Sequence, residues 1–322
     1  MRMFLLLICF ALASCERVDE RKKHTHEWMM GEGKLKILST TAMINDLVIH
    51  IAGEYAATTT LIQGNLDPHS YQLVKGDDEK LKMADIIFYN GLGLEHGASL
   101  QHHLETSPKS IPLGNLIQKA FPEKIYYVQS QIDPHIWMDL SLFAESIPFI
   151  VKELGKIDPE HKVQYEKNGE ALLKELLLVH EKVKEKIHEI PKEKRYLVTS
   201  HDAFNYFTRA YLSEEGEENW EVRFQAPEGL APDSQLSSAD VQHILDYLAE
   251  YDINVIFPES NVSQDSIRKI IHAGKQKGLT VRIASDPLYG DAMGTPGSSG
   301  DTYPKMLEHN ATVIEKYLNS RG

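Results

Sequence analysis

The chain has 322 residues, of which 42% are hydrophobic and 25% charged, and its formal net charge is −13. That much apolar content can fill two cores of ordinary size, so two lobes are the default expectation. The acidic balance argues against a nucleic-acid partner, because phosphate backbones repel it.

Met1 and Arg2 are followed by an apolar run from Met3 to Ala13, which ends in Leu12-Ala13-Ser14-Cys15. A run of this length is too short to span a bilayer and fits the h-region of a secretory leader. Residues 1–14 are therefore expected to be removed. The Leu-Ala-Ser-Cys sequence resembles a bacterial lipobox, with Cys15 as the acylated residue. Cys9 lies inside the leader, so Cys15 is the only cysteine left and no intramolecular disulfide is expected. A thioether-linked lipid explains a lone cysteine in an oxidising compartment. Residues 15–33 are polar and lack periodicity, which suggests a lipid-anchored flexible tether. His24 and His26 fall within it as solvated residues.

From Lys36 onward the pattern alternates in α/β fashion. A strand is predicted over 37–39, a helix over 43–52 and a strand over 58–62, leading to Asp67-Pro68-His69. A helix over 77–83 then precedes a buried-type strand over 86–89, and a helix over 94–104 carries His96, His102 and His103. After Asp133-Pro134-His135 comes a helix over 140–154. The alternation implies a parallel sheet, and the first lobe is assigned to residues 34–157.

Residues 158–190 read as one long helix. Leu172, Leu176, Val179, Val183, Ile187 and Ile190 recur in steps of three and four. Asp158 suits the N-cap, Pro159 the first turn and Pro191 the stop, and the rod would be roughly 48 Å long. A second α/β series fills 191–322, with strands predicted over 196–199, 222–224, 255–257 and 281–283 and helices over 240–251 and 263–277. Residues 213–219, which carry four glutamates, read as a solvated loop.

Asp-Pro-His occurs twice, and Ser200-His201-Asp202 places a third histidine at the same interval. Imidazole is the commonest transition-metal ligand, and a proline just ahead of it stiffens the loop that presents it. The Asp of each triplet can accept the imidazole N–H and so select the tautomer that leaves the other nitrogen for metal. Competing motifs fail. Gly91-Leu92-Gly93-Leu94-Glu95-His96 lacks the third glycine of a dinucleotide fingerprint, and neither a phosphate-binding G-x-x-x-x-G-K-[ST] nor H-E-x-x-H occurs. The adjacent residues of Ser200-His201-Asp202 cannot converge as a catalytic triad.

Several segments together resemble the cluster A-I solute-binding lipoproteins that feed zinc, manganese or iron to ABC importers. They are Asp67-Pro68-His69-Ser70-Tyr71, Asn90-Gly91-Leu92-Gly93-Leu94-Glu95, Asp133-Pro134-His135-Ile136-Trp137-Met138, Ser200-His201-Asp202-Ala203-Phe204-Asn205, Phe257-Pro258-Glu259-Ser260 and Tyr289-Gly290-Asp291-Ala292-Met293-Gly294. The resemblance covers nearly the whole mature chain. It implies two similar α/β lobes, each with a parallel sheet flanked by helices, joined by one rigid helix. It also implies four side chains, two from each lobe, closing on one metal.

Carried onto this chain, those ligands are His69, His135, His201 and an aspartate. Asp286, Asp291 and Asp301 all lie near the right place, and the aromatic-small-Asp-small-Met-Gly pattern falls on Asp291. Asp286 precedes Pro287 as a turn residue would, and Asp301 suits an N-cap of the last helix. The implied cargo is one divalent transition metal ion (Zn2+, Mn2+ or Fe2+), and the implied partners are a cognate ABC permease and its ATPase subunits. The protein would be a monomer, extracytoplasmic and anchored to the membrane through Cys15, and not an enzyme. The long His-rich loop of zinc-specialised members is missing, and His96, His102 and His103 read as a solvated helix face. A zinc-dependent hydrolase and a metal-stabilised surface adhesin are the alternative functions.

Overall fold

A computed structural model of the chain describes residues 27–31, 33–232 and 236–319. The expected leader, Cys15, His24, His26 and most of the tether lie outside the described residues. No helix among the described residues is long and apolar enough to cross a membrane.

The first lobe is built on a four-stranded parallel sheet. β1 (Leu35–Ser39) lies between β2 (Ala56–Thr60) and β3 (Ile86–Tyr89), and β4 (Ser110–Pro112) pairs with β3. Adjacent residues of a strand face opposite ways, and here both faces are covered. Ile37 packs with Met43, Leu47 and Ile51 of α1 (Ala42–Ala52), whereas Leu38 packs with Leu81 of α2 (Asp77–Met83) and Leu100 and Leu104 of α3 (Ala98–Thr106). The expected helix over 94–104 therefore starts at Ala98. Glu95 turns back into the lobe and accepts the backbone N–H groups of Asn90 and Gly91, which bends residues 93–96 into a loop.

After α4 (Leu113–Ala120), the strands β5 (Tyr127–Val128) and β6 (Gln131–Ile132) form a small antiparallel pair just ahead of the second Asp-Pro-His. The helix expected over 140–154 is two helices, α5 (Leu140–Ala144) and α6 (Ile147–Ile157). Asp139 caps α5 through the N–H groups of Ser141 and Leu142, and Pro148 opens α6, where its missing donor is harmless.

The linking helix α7 spans Lys162–His188, which is 27 residues or about 40 Å, and it is shorter at both ends than expected. Asp158 ends α6 instead of capping α7, because its carboxylate accepts from His161 Nδ1 and the Tyr165 hydroxyl and holds residues 158–161 in a turn. The buried stripe of α7 is Tyr165, Leu172, Leu176, Val179, Val183 and Ile187.

In the second lobe, β7 (Leu197–Val198) pairs in parallel with β8 (Phe224–Gln225), and β9 (Val255–Ile256) with β10 (Arg282–Ile283). The backbone bond from Phe257 N to Val198 O joins the two pairs. The expected strand at 222–224 is displaced because Arg223 turns inward to Glu217 and the Lys192 carbonyl. Residues 213–219 are accordingly not just solvated: Glu214 and Glu217 pair with Arg195 and Arg223. Helices α8 (Ser238–Glu250), α9 (Asp265–Gln276) and α10 (Tyr303–Asn319) complete the lobe.

The expectation of two separate cores needs correction. Among the described residues one apolar cluster runs from Ile37 and Leu47 through the buried stripe of α7 to Phe204, Phe257 and Ile314, and two smaller clusters belong to single lobes. Polar bonds reinforce the fusion. Trp137 Nε1 donates to the Gly290 carbonyl, Tyr303 Oη to the Trp137 carbonyl, and Tyr303 N to Asp46.

Candidate metal centre

His69 lies in the loop beyond β2, His135 just after β6, His201 just after β7 and Asp291 in the loop beyond β10. His69, His201 and Asp291 thus lie beyond the carboxyl ends of parallel strands, where α/β folds collect their ligands, and His135 follows the antiparallel pair. All four residues are buried, and one donor atom from each lies within 4.8 Å of the others. His69 Nε2 and His135 Nε2 are 3.2 Å apart, and His201 Nε2 is 3.1 Å from Asp291 Oδ2. Asp291 also approaches His69 and His135, each at 3.5 Å. Four donors at about 2.1 Å from a tetrahedral ion stand about 3.4 Å from one another, so these spacings fit one such ion.

Each donor is aimed by its surroundings. The two Asp-Pro-His turns share a backbone device, since Asp67 and Asp133 each accept the N–H two residues on, at 2.9 Å. They differ at the ring. Asp133 Oδ1 also accepts His135 Nδ1 at 2.7 Å, whereas Asp67 binds the Ser70 N–H and hydroxyl. The tautomer-selecting role expected of both aspartates thus falls only to Asp133. Asn205 Nδ2 donates to both Asp133 and Asp202.

Glu259 supports His201. Its Oε1 accepts the backbone N–H groups of Ser200 and His201, and Oε2 is 2.7 Å from His201 Nδ1 in an ionic contact that lacks the alignment of a hydrogen bond. Gly290 is required beside it, because a Cβ there would sit 2.3 Å from that same Oε2. Glu259 was not singled out as a site residue from sequence. The available signal was its place in Phe257-Pro258-Glu259-Ser260, two residues beyond the apolar strand expected over 255–257. Glu95 was missed in the same way. It lies deep in the first lobe and accepts from the Thr40 hydroxyl as well as from Asn90 and Gly91.

Burial alone would lower the His201 imidazole, but the charges of Glu259 and Asp291 hold it well above its ordinary value. Burial alone would raise Asp291, but His201, His69 and His135 hold it well below the carboxylate range. Yet His201 Nε2 and both Asp291 oxygens are buried without an aligned hydrogen-bond partner. Buried polar atoms left in that state are costly unless something else satisfies them. A cation at the point where they converge would do so.

The other candidates lie elsewhere. Asp286 pairs with Lys316 and Tyr317, and Asp301 with Lys305. His102 and His103 lie on α3, outside the four-donor group. His96 sits in the loop before α3, with its ring 5.7 Å from that of His69.

The family model described as zinc-uptake complex component A, periplasmic (ZnuA), matches residues 37–317. The metal-binding protein YtgA of Chlamydia pneumoniae is 40% identical over 285 residues, which is 88% of this chain and 85% of that protein. The manganese-binding lipoprotein MntA of Bacillus subtilis is 32% identical over 320 residues, which is 97% of each chain. Among solved structures, Fe(III)-bound YtgA from Chlamydia trachomatis superposes with a TM-score of 0.83 at 35% identity, covering 89% of this chain and 99% of that one. The periplasmic zinc-binding protein TroA of Treponema pallidum gives 0.81 at 30% identity, covering 89% and 100%. With the family match spanning most of its length, the chain belongs to the ZnuA family of periplasmic zinc-uptake components.

Proposed function

We propose that His69, His135, His201 and Asp291 hold one divalent transition metal ion between the lobes, and that the protein delivers this ion to a cognate ABC permease and its ATPase subunits for import. The observation that carries the reading is the convergence of four buried side chains, in which both ring nitrogens of His201 and both carboxylate oxygens of Asp291 lack any aligned partner. Three imidazoles and one carboxylate suit Zn2+, Fe2+ and Mn2+, and the Irving–Williams order makes zinc the tightest of these in vitro. Cys15 would carry the lipid that anchors a monomeric, extracytoplasmic chain.

A zinc-dependent hydrolase fits less well. A catalytic zinc keeps three protein ligands and an open position, whereas here four buried donors converge. The wild type is expected to show no metal-dependent turnover of ester, peptide or phosphate substrates.

The test is metal stoichiometry and competition titration on stripped protein. One ion per chain is expected. Asp291→Ala and His135→Ala should each weaken retention by more than the roughly 100-fold that loss of an outer partner can cost. Undiminished retention in Asp291→Ala would overturn the ligand set.

A further inference from the structure

The four-donor group meets solvent through a cavity of about 690 Å³ whose wall includes His69, His96, Asn115, Gln131, Pro134 and Leu230. Of the four donors, only His69 lines it. An ion arriving through this cavity therefore encounters His69 first, and His96 stands beside it.

Three further observations make His96 more than a bystander. Its ring is 5.7 Å from that of His69, within the 5.2 to 6.2 Å that the three central imidazoles keep from one another. His96 and His69 are thus spaced as two ligands of one ion would be. Although the side chain is exposed, its backbone is held, because the preceding Glu95 is fixed by Thr40, Asn90 and Gly91. Finally, His96 Nδ1 lies 3.2 Å from the Gly93 carbonyl, which can only accept. Nδ1 therefore carries the proton and Nε2 keeps its lone pair for a metal.

His69 is the suitable recipient. Asp133 and Glu259 hold the Nδ1 sides of His135 and His201, but no described residue hydrogen-bonds Nδ1 of His69. Its ring is the least constrained of the three.

We propose that His96 is a waystation for the metal: an incoming ion, having shed part of its water, is first held between His96 and His69 and then passes inward to His135, His201 and Asp291. The proposal rests on the four-donor reading above. It assigns His96 to the path and not to the final set.

The test is stopped-flow exchange of Zn2+ alone with stripped full-length protein, against a chromophoric chelator. A residue visited only in transit lowers the barrier in both directions and leaves the end states untouched. His96→Ala should therefore slow association and dissociation together by about tenfold, or ~1.4 kcal/mol on the barrier, with Kd nearly unchanged. His102→Ala on α3 should alter neither rate. A weaker Kd with unchanged association would make His96 a ligand of the final site, and unchanged rates would give it no part; either result overturns the proposal. Retention that survives Asp291→Ala would sink the four-donor reading instead, so the two failures are distinguishable.

Discussion

In the first lobe the central strands run to five residues, and both histidines leave on Asp-Pro-His turns. In the second lobe every strand among the described residues is two residues long, and His201 and Asp291 leave on unrelated loops. The strand order is nonetheless the same, with β2-β1-β3-β4 matched by β8-β7-β9-β10 once the Phe257–Val198 bond joins the pairs. Each lobe also sets a buried glutamate beyond its third strand to brace the loop beyond its first. Glu95 braces Thr40 and Glu259 braces Ser200–His201. One architectural position has two uses: in the first lobe the carboxylate braces a turn, and in the second it also faces the ring of His201, a proposed metal donor.

That contrast can be broken most strongly at the two glutamates. Glu259→Gln should weaken metal affinity by about 10–100-fold, as loss of a charged partner behind a ligating imidazole does elsewhere. Glu95→Gln should leave affinity nearly intact and instead cost about 1–3 kcal/mol of folding stability, since an amide N–H would oppose backbone donors. Competition titration and urea unfolding read the two quantities, and an exchanged pattern would end the comparison.

The duplicated turns offer a finer version. Asp133→Asn loosens the ring of His135 and should cost about tenfold in affinity, whereas Asp67→Asn, which never touches a ring, should cost less than about threefold. Equal losses would mean that the two copies do the same work.

A third expectation concerns protons. In the metal-free chain burial lowers His201, but Glu259 and Asp291 outweigh it and favour the protonated ring, and an ion that takes Nε2 displaces that proton. Affinity should rise with pH by up to about tenfold per unit on this account, with close to one proton released per ion in weakly buffered solution. Proton release should disappear in His201→Gln.

A last effect, on stability alone, is at Asp202, which burial and the charge of Asp133 push up to about 6. A carboxylate raised above its unfolded value destabilises the fold where it must ionise, at higher pH, and the penalty fades as pH falls below the unfolded value. Asp202→Asn should stabilise the metal-free chain by about 1 kcal/mol at pH 8 and by nothing near pH 3, as thermal unfolding can show.

How much of this was legible in the sequence follows from how local each determinant is. The first-lobe strands and the stripe of α7 write their periodicity directly into the chain. His69, His135, His201 and Asp291 stood out because short motifs surround them, and the fold brings these four together. The start of α3 was misjudged because Glu95 bonds back to Asn90 and Gly91, and apolar periodicity does not encode such a bond. The start of α7 was misjudged because Asp158 is captured by Tyr165, seven residues further on. The partner of Glu259 is more than fifty residues away in sequence, and only the pairing of β7 with β9 reveals it. The place of His96 beside His69 likewise depends on two loops meeting at the cleft mouth.

The central claim is that two lobes contribute two donors each to a single ion. X-ray absorption fine structure of the zinc-loaded chain tests it most directly. Three imidazole nitrogens and one carboxylate oxygen at about 2.0–2.2 Å are the predicted shell. A shell with two imidazoles or fewer, the remainder being water, would place the ion on one lobe alone and contradict the account.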